Sequence, residues 1–227
     1  MSSRLDHPAQ AEAIHTLLAS AGVQGGASVL VTPCQDGGLL GALQARYAVA
    51  GSDPHEARLR LARARRSGVR LWRARRDALA APAPFDVVVF GEPEALDERD
   101  LAAALEAALA VLEPDGVLLL LPGPEPDELP AGAALMDTHD GEGLKIVCSA
   151  VVRRSGIRAR LKRHWMVARD NQGVEMFSEQ DTWYLYTSER IEAALKAAGL
   201  ETSLHTSAAF PRGLWCGMRY SLSGTRT

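Results

Sequence analysis

Two short segments restrict the fold more than anything else in the chain: Phe85-Asp-Val-Val-Val-Phe90 and Val117-Leu-Leu-Leu-Leu121 are apolar at almost every position. A strand with one face in water alternates polar and apolar residues. One without alternation is buried on both faces, as in a parallel sheet covered by crossover helices. Between the two segments, Leu101, Leu105, Ala108, Leu109 and Leu112 recur at helical spacing, and Glu113-Pro-Asp-Gly116 has the composition of a turn. The unit read here is strand, helix, turn, strand.

The same rhythm runs upstream. Ile14, Leu17, Leu18 and Ala21 mark a first amphipathic helix, closed by the glycines from Gly22 to Gly26. Ser28-Val-Leu-Val-Thr32 is a strand leading into the tight loop Pro33-Cys-Gln-Asp-Gly-Gly38 and a helix over 39–45. A second strand, Tyr47 to Gly51, ends at Asp53, and Ala57, Leu61 and Ala64 are the expected buried stripe of the next helix, whose other faces carry arginine. Val69 to Trp72 is a third strand, and Ala80 to Pro84 is loop-like. The first ~120 residues therefore read as a doubly wound half.

Beyond Pro122 the pattern changes. A Pro/Asp/Glu-rich link runs to about Pro130, a polar loop is expected from Asp137 to Gly143, and strands are expected over 145–152 and 157–166. In the latter, Ile157, Ala159 and Leu161 alternate with Arg158, Arg160 and Lys162, which indicates an antiparallel sheet with one wet face. Asp170-Asn-Gln-Gly173 is a turn signal returning the chain into a strand from Val174 to Tyr186. Thr187 or Ser188 then caps a helix with apolar positions Ile191, Ala194, Leu195 and Ala198 and a stop at Gly199. Strands at 201–206 and 214–221 flank Phe210-Pro-Arg-Gly213.

Composition narrows the partners. The 227 residues carry a formal charge of −3, which gives no overall grip on a polyanion, and no stretch approaches the length of a bilayer span. The polar start lacks a secretion pattern, so the expected location is cytoplasmic. Cys34, Cys148 and Cys216 are widely spaced and suggest neither a disulfide framework nor a metal site.

In this frame Val29-Leu-Val-Thr-Pro-Cys-Gln-Asp-Gly37 resembles the first motif of the class I S-adenosylmethionine-dependent methyltransferases, in the variant V-L-D-x-P-C-G-x-G. Ala50-Gly-Ser-Asp-Pro54 resembles the family's second strand end, Arg76-Asp77-Ala78 the third and Phe85-Asp-Val-Val-Val89 the fourth. Leu109-Ala-Val-Leu-Glu-Pro-Asp-Gly-Val-Leu-Leu119 is similar to the L-K-P-G-G segment before the fifth, and Tyr186 to Leu200 to the Y-T-x-x-E-L helix near the end. The resemblance covers about Gln10 to Tyr220. It implies a Rossmann-like, doubly wound, mostly parallel seven-stranded sheet formed by residues 1–130 and 187–227, with an inserted antiparallel β lid, or substrate cap, over 131–186.

What the resemblance implies for the site follows strand by strand. Thr32, Pro33, Cys34, Gln35 and Gly37 wrap the amino-acid part of S-adenosylmethionine, whose product is S-adenosylhomocysteine. Asp53 and Pro54 face the ribose, Asp77 and Ala78 the adenine, and Phe90 and Gly91 the region of the methyl group. Glu92, Trp165, Trp183, Tyr184 and Tyr186 are candidate substrate contacts, the aromatics more simply explained as sheet packing and Glu92 as a surface acid. His139 and His164 are candidate general bases, each more simply explained as an exposed or hydrogen-bonded histidine.

The implied reaction is direct methyl transfer to a nitrogen or oxygen of a small molecule, with no metal, no membrane and no nucleic acid. Three departures, Val31 for the motif's acid, Gln35 for its middle glycine and Pro54 after the second acid, support a non-catalytic descendant as an alternative. Nine arginines between Arg58 and Arg76 raise RNA or protein methylation as another, against the simpler reading of a solvated helix face. The lid could equally serve as the surface of a homodimer.

Overall fold

The computed structural model describes residues 6–81, 83–170 and 172–219, in two compact units, one formed by residues up to Gly123 and from Ser188 onward, the other by residues 124–187. Asn171 of the expected turn and the expected strand residues 220–221 lie outside the described residues.

The first unit is built on a seven-stranded sheet. Strands β1 (Ser28–Thr32), β2 (Ala48–Asp53), β3 (Arg70–Arg73), β4 (Phe85–Phe90) and β5 (Leu112–Leu120) are parallel, and β10 (Leu200–His205) and β11 (Leu214–Arg219) complete it in the order β3-β2-β1-β4-β5-β11-β10. Strand β11 runs antiparallel to both neighbours. Helices α1 (His7–Ser20), α2 (Gly38–Leu43) and α3 (Glu56–Arg65) bury Ile14, Leu18, Leu40, Leu43, Leu59 and Ala62 in one cluster with Val29, Val31, Val87, Val89, Val117 and Leu119. The intervening residues Leu30, Val88, Leu118 and Leu120 point to the other face and are fully buried too. Helices α4 (Glu98–Ala110) and α5 (Ser188–Ala197) supply Leu101, Leu105, Ile191 and Leu195 to the core. The unalternating runs of β4 and β5 thus have the two-sided burial their composition demands, each large aliphatic side chain contributing about 2 kcal/mol.

Three sequence expectations need correction here. In α3 the buried residues are Leu59 and Ala62, whereas Leu61 is half exposed. Arginine at 58, 60, 63 and 65 blurs the stripe, and apolar content alone does not choose between Leu59 and Leu61. Leu112 opens β5 rather than ending α4. The expected turn at 113–116 lies inside β5: Leu112 pairs with Phe85 and Val117 with Val87, so those residues bulge opposite Asp86. Turn chemistry serves a bulge as well as a reversal.

The second unit is a four-stranded antiparallel sheet of β6 (Ala134–Gly141), β7 (Leu144–Ser155), β8 (Arg158–Arg169) and β9 (Gly173–Tyr184), paired in chain order. Its small core gathers Leu129, Val152, Ala159, Leu161 and Leu185. The expected polar loop from Asp137 to Gly143 is mostly strand β6, with the reversal confined to Glu142 and Gly143. An edge strand exposed on both faces has no need of apolar alternation, and its polar sequence hid it.

Gly51 sits where β2 passes beneath the β1 loop. A β-carbon there would fall 2.8 Å from Cys34 Cβ and Leu40 Cδ1 and 2.9 Å from Leu71 Cδ2, with Leu40 fully buried. Gly51→Ala is expected to cost about 1–3 kcal/mol through overpacking, read as a lowered urea midpoint at unchanged m-value.

Candidate functional site

Parallel strands deliver their carboxyl ends to one edge of the sheet. Where the chain winds from β1 outward to β3 and then crosses back to β4, a crevice opens between β1 and β4. The two strands stay joined at their ends, the Gly91 N–H donating to the Thr32 carbonyl at 2.9 Å. Around this point lie the loop after β1, the end of β2 at Asp53, the link after β3 at Arg76, and Glu92 after β4.

Asp53 organises the loop. It is fully buried, and each carboxylate oxygen accepts a backbone N–H: Oδ2 from Gln35 at 3.0 Å and Oδ1 from His55 at 2.8 Å. Cys34 N–H donates to the Ser52 carbonyl at 2.8 Å, and the Ser52 hydroxyl to Thr32 Oγ1 at 2.9 Å. The Thr32-Pro33 peptide is cis. Gln35 has φ +52° and Gly37 φ +79°, both left-handed, and Gly37 is the N-cap of α2. Glutamine thus occupies the backbone region that favours glycine, held there by Asp53 on its N–H and by its own amide, which donates to Glu92 Oε1 at 2.8 Å.

Glu92 collects most of the charge. Arg58 Nη1 donates to both of its oxygens at 3.2 Å, while Arg76 bonds Oε2 and, at 3.1 Å, the Glu92 carbonyl. Arg76 is buried, and its Nε has no hydrogen-bond partner. A second unpartnered atom is Glu94 Oε2, in the short turn Pro93–Ala95 after β4. Burial, with a smaller push from the charge of Glu92, raises the Glu94 carboxyl to about 7 despite opposition from its own backbone N–H and from Arg76 and Arg212.

The other expected site residues fall as follows. Cys34 is buried, and burial with the Asp53 charge pushes its thiol up to about 12, so it is a packing residue. Pro54 uses its carbonyl to accept from Arg73 at 3.1 Å. Asp77 is exposed and held by Arg75 at 2.9 and 2.7 Å, which lowers its carboxyl, and Ala78 spends its N–H on the Arg75 carbonyl. Phe90 is fully buried at the end of β4, and Gly91 has no atom closer than 3.9 Å to where a β-carbon would stand. Val31, at the place of the motif's acid, is part of the apolar core.

In the four-stranded unit the expected substrate residues do not share one surface. Trp165 and Trp183 lie on one face of the sheet and Tyr184 on the other, while Tyr186 is buried beyond β9. On the first face Arg163 lies over the Trp183 ring at 5.2 Å and pairs with Asp181 and Glu179, and Trp165 stacks on Phe177 and donates to Glu179 at 2.9 Å. His139 stands on β6, a strand rather than the expected loop, on that same face. His164, bonded to Ser178 at 2.8 Å, stands on the opposite one. The two histidines therefore cannot serve one ligand from the same side of this sheet.

Sequence reasoning missed Arg58, Arg76, Ser52 and Glu94. Both arginines were hidden in a run read as solvated helix surface. Seven of its nine members bond an acid or a carbonyl of their own unit: Arg58 and Arg76 to Glu92, Arg63 to Glu56, Arg65 to Asp36, Arg66 to the Gly37 carbonyl, Arg73 to Pro54 and Arg75 to Asp77. Among the described residues no His/Cys/Asp/Glu cluster could hold a metal ion, and no helix is long and apolar enough to cross a membrane.

No known family model matches the chain. It is 30% identical over 129 residues to a dTDP-3-amino-3,6-dideoxy-alpha-D-glucopyranose N,N-dimethyltransferase of Streptomyces fradiae, a match covering 57% of this chain and 51% of that protein. The chain thus spans about half the length of the curated relatives it matches. Among solved structures it is similar to DesVI of Streptomyces venezuelae, with a TM-score of 0.85 and 26% identity over 96% of this chain and 93% of that one. It is also similar to CalS10, an amino pentose methyltransferase of Micromonospora echinaspora with S-adenosylmethionine bound, with a TM-score of 0.82 and 27% identity over 95% and 92%.

Because folding raises the Glu94 carboxyl from 4.5 to about 7, the folded protein holds that proton more tightly than the unfolded chain. The stabilisation is full below the unfolded value and is lost as pH rises through the folded one. Between pH 4.5 and 7.5 this loss is expected to be on the order of 3 kcal/mol. Glu94→Gln is expected to flatten that part of the stability–pH profile in urea titrations.

Proposed function

We propose that this chain, which has the fold of the class I S-adenosylmethionine-dependent methyltransferases and resembles their small-molecule members in sequence, transfers a methyl group from S-adenosylmethionine to the amino nitrogen of a nucleotide-linked amino sugar. The observation that carries this reading is the relative acting on an amino-deoxyglucose nucleotide, matched over more than half of this chain. The strand-end crevice supports it independently.

The residues present fit the donor. Its amino-acid part carries a carboxylate, and the buried Nε of Arg76 is a charged donor without a partner at the ends of the same strands. The loop from Thr32 to Gly37 and the uncluttered backbone at Gly91 would hold that part, with Asp53 acting through the two backbone groups it fixes. When bound, the donor supplies an electrophilic methyl carbon on a cationic sulfur. The protein's own task is to align an acceptor nitrogen with that carbon and exclude water, alignment being the main lever in a direct displacement. In this reading residues 131–186 are the substrate cap, and the face bearing Trp165 and Trp183 offers flat rings and acids suited to a sugar.

Incubation with S-adenosylmethionine and dTDP-3-amino-3,6-dideoxy-α-D-glucopyranose is expected to yield product carrying one or two added methyl groups by mass spectrometry. The hydroxyl counterpart of that sugar is expected to stay unmodified. A second reading, a non-catalytic descendant, is favoured by Gln35 bridging to Glu92 where the motif has glycine; no transfer to any amino-sugar nucleotide would select it.

A further inference from the structure

The turn that follows β4 sends two carboxylates in different directions. Glu92, with φ +54°, reaches Gln35, Arg58 and Arg76, and its charge is neutralised there. Glu94 turns instead toward the end of β5. A β-carbon on Gly123 would collide with the Glu94 carboxyl, so that backbone can pass only because it carries no side chain. The carboxyl is therefore packed against the backbone that leaves β5, the strand next to β4.

Its Oε2 is buried and has no hydrogen-bond partner. Fold maintenance does not explain that arrangement: the carboxyl takes a hydrogen bond from its own backbone N–H, but an oxygen buried without a donor is costly, and an alanine or leucine would fill the space at less expense. The charged groups facing it are Glu92 from its own turn, Arg76 from the link after β3 and Arg212 from the loop before β11. What would satisfy Oε2 is a group bearing both an N–H and positive charge.

We propose that Glu94 is a catalytic residue that receives the acceptor amine, binding it as ammonium and taking its proton. The assignment rests on the amine-methylating reading above. The bound amine rests as ammonium against the ionised Glu94, and on the way to transfer it gives one proton to Oε2, leaving neutral amine and a transiently protonated Glu94. The nitrogen lone pair then forms the N–C bond as the C–S bond breaks, with that electron pair leaving on sulfur and the positive charge passing to nitrogen. Glu94 returns its proton to solvent and is ready for the methylated amine of a second round. An ordinary carboxylate is too weak a base for this exchange at neutral pH; one that titrates near 7 is suited to it.

The test combines turnover with a readout independent of it. With the amino-sugar nucleotide as acceptor, E94Q is expected to lose roughly 100-fold in kcat/KM, and the wild-type rise of kcat/KM through pH 7 is expected to vanish. In the presence of S-adenosylhomocysteine, infrared difference spectra of the wild type should show a protonated carboxyl band, absent from E94Q. That band is expected to bleach when the amino-sugar nucleotide is added and to persist with its hydroxyl counterpart. Activity of E94Q within twofold of wild type, or a band indifferent to the amine, would overturn the assignment. A wild type that transfers no methyl group contradicts the functional reading instead, and the infrared response then decides the amine site alone. Should E94Q fail to fold, the wild-type band still gives the answer.

Discussion

A carboxylate removed entirely from water must have partners, and Asp53 finds its hydrogen bonds in backbone N–H groups that follow β1 and β2, with Arg58 at 3.9 Å. One bond holds Gln35 in a left-handed conformation that a non-glycine residue resists; the other fixes the chain as it leaves β2 for α3. The shape of the β1 loop, the aim of the Gln35 amide at Glu92 and the position of Arg58 on α3 all depend on this one group. In the family pattern an acid at this position is expected to face a ribose. Here its first task is architectural, and any effect on a ligand passes through the loop it holds.

The charges around Asp53 form a layered arrangement at the sheet edge. Glu92 absorbs two guanidinium groups and an amide, which leaves an unpaired N–H on Arg76 on one side and an unpaired carboxyl oxygen on Glu94 on the other. A structural network would close on itself, because each open buried polar atom costs free energy. Besides the Trp215 Nε1 donor opposite the end of β5, this edge leaves open the Arg76 donor and the Glu94 acceptor, to which the proposed methyl donor's carboxylate and an amine would be suited.

Much of the fold was legible because burial on both faces leaves an unmistakable composition: β4 and β5 could be nothing but central strands. Strand β6 was not legible, since an edge strand with both faces exposed has no pattern to read, and the bulge at Glu113 to Gly116 used the same residues a turn would use. At the site, the loop from Thr32 to Gly37 was placed by its position after β1. Arg58, Arg76 and Glu94 were not, because a side chain's partner across the fold leaves no trace in local spacing. The aromatic set of Trp165, Trp183 and Tyr184 was divided by the strand register, which sends neighbours in sequence to opposite faces.

The most direct measurement is calorimetric titration of the purified protein with S-adenosylhomocysteine, alongside Arg76→Met, which removes the open donor while preserving bulk. Saturable one-to-one binding, weakened at least tenfold in the variant, is the expected result. No heat of binding at millimolar ligand, or equal binding by both proteins, would contradict the assignment of the β1–β4 crevice as the cofactor site.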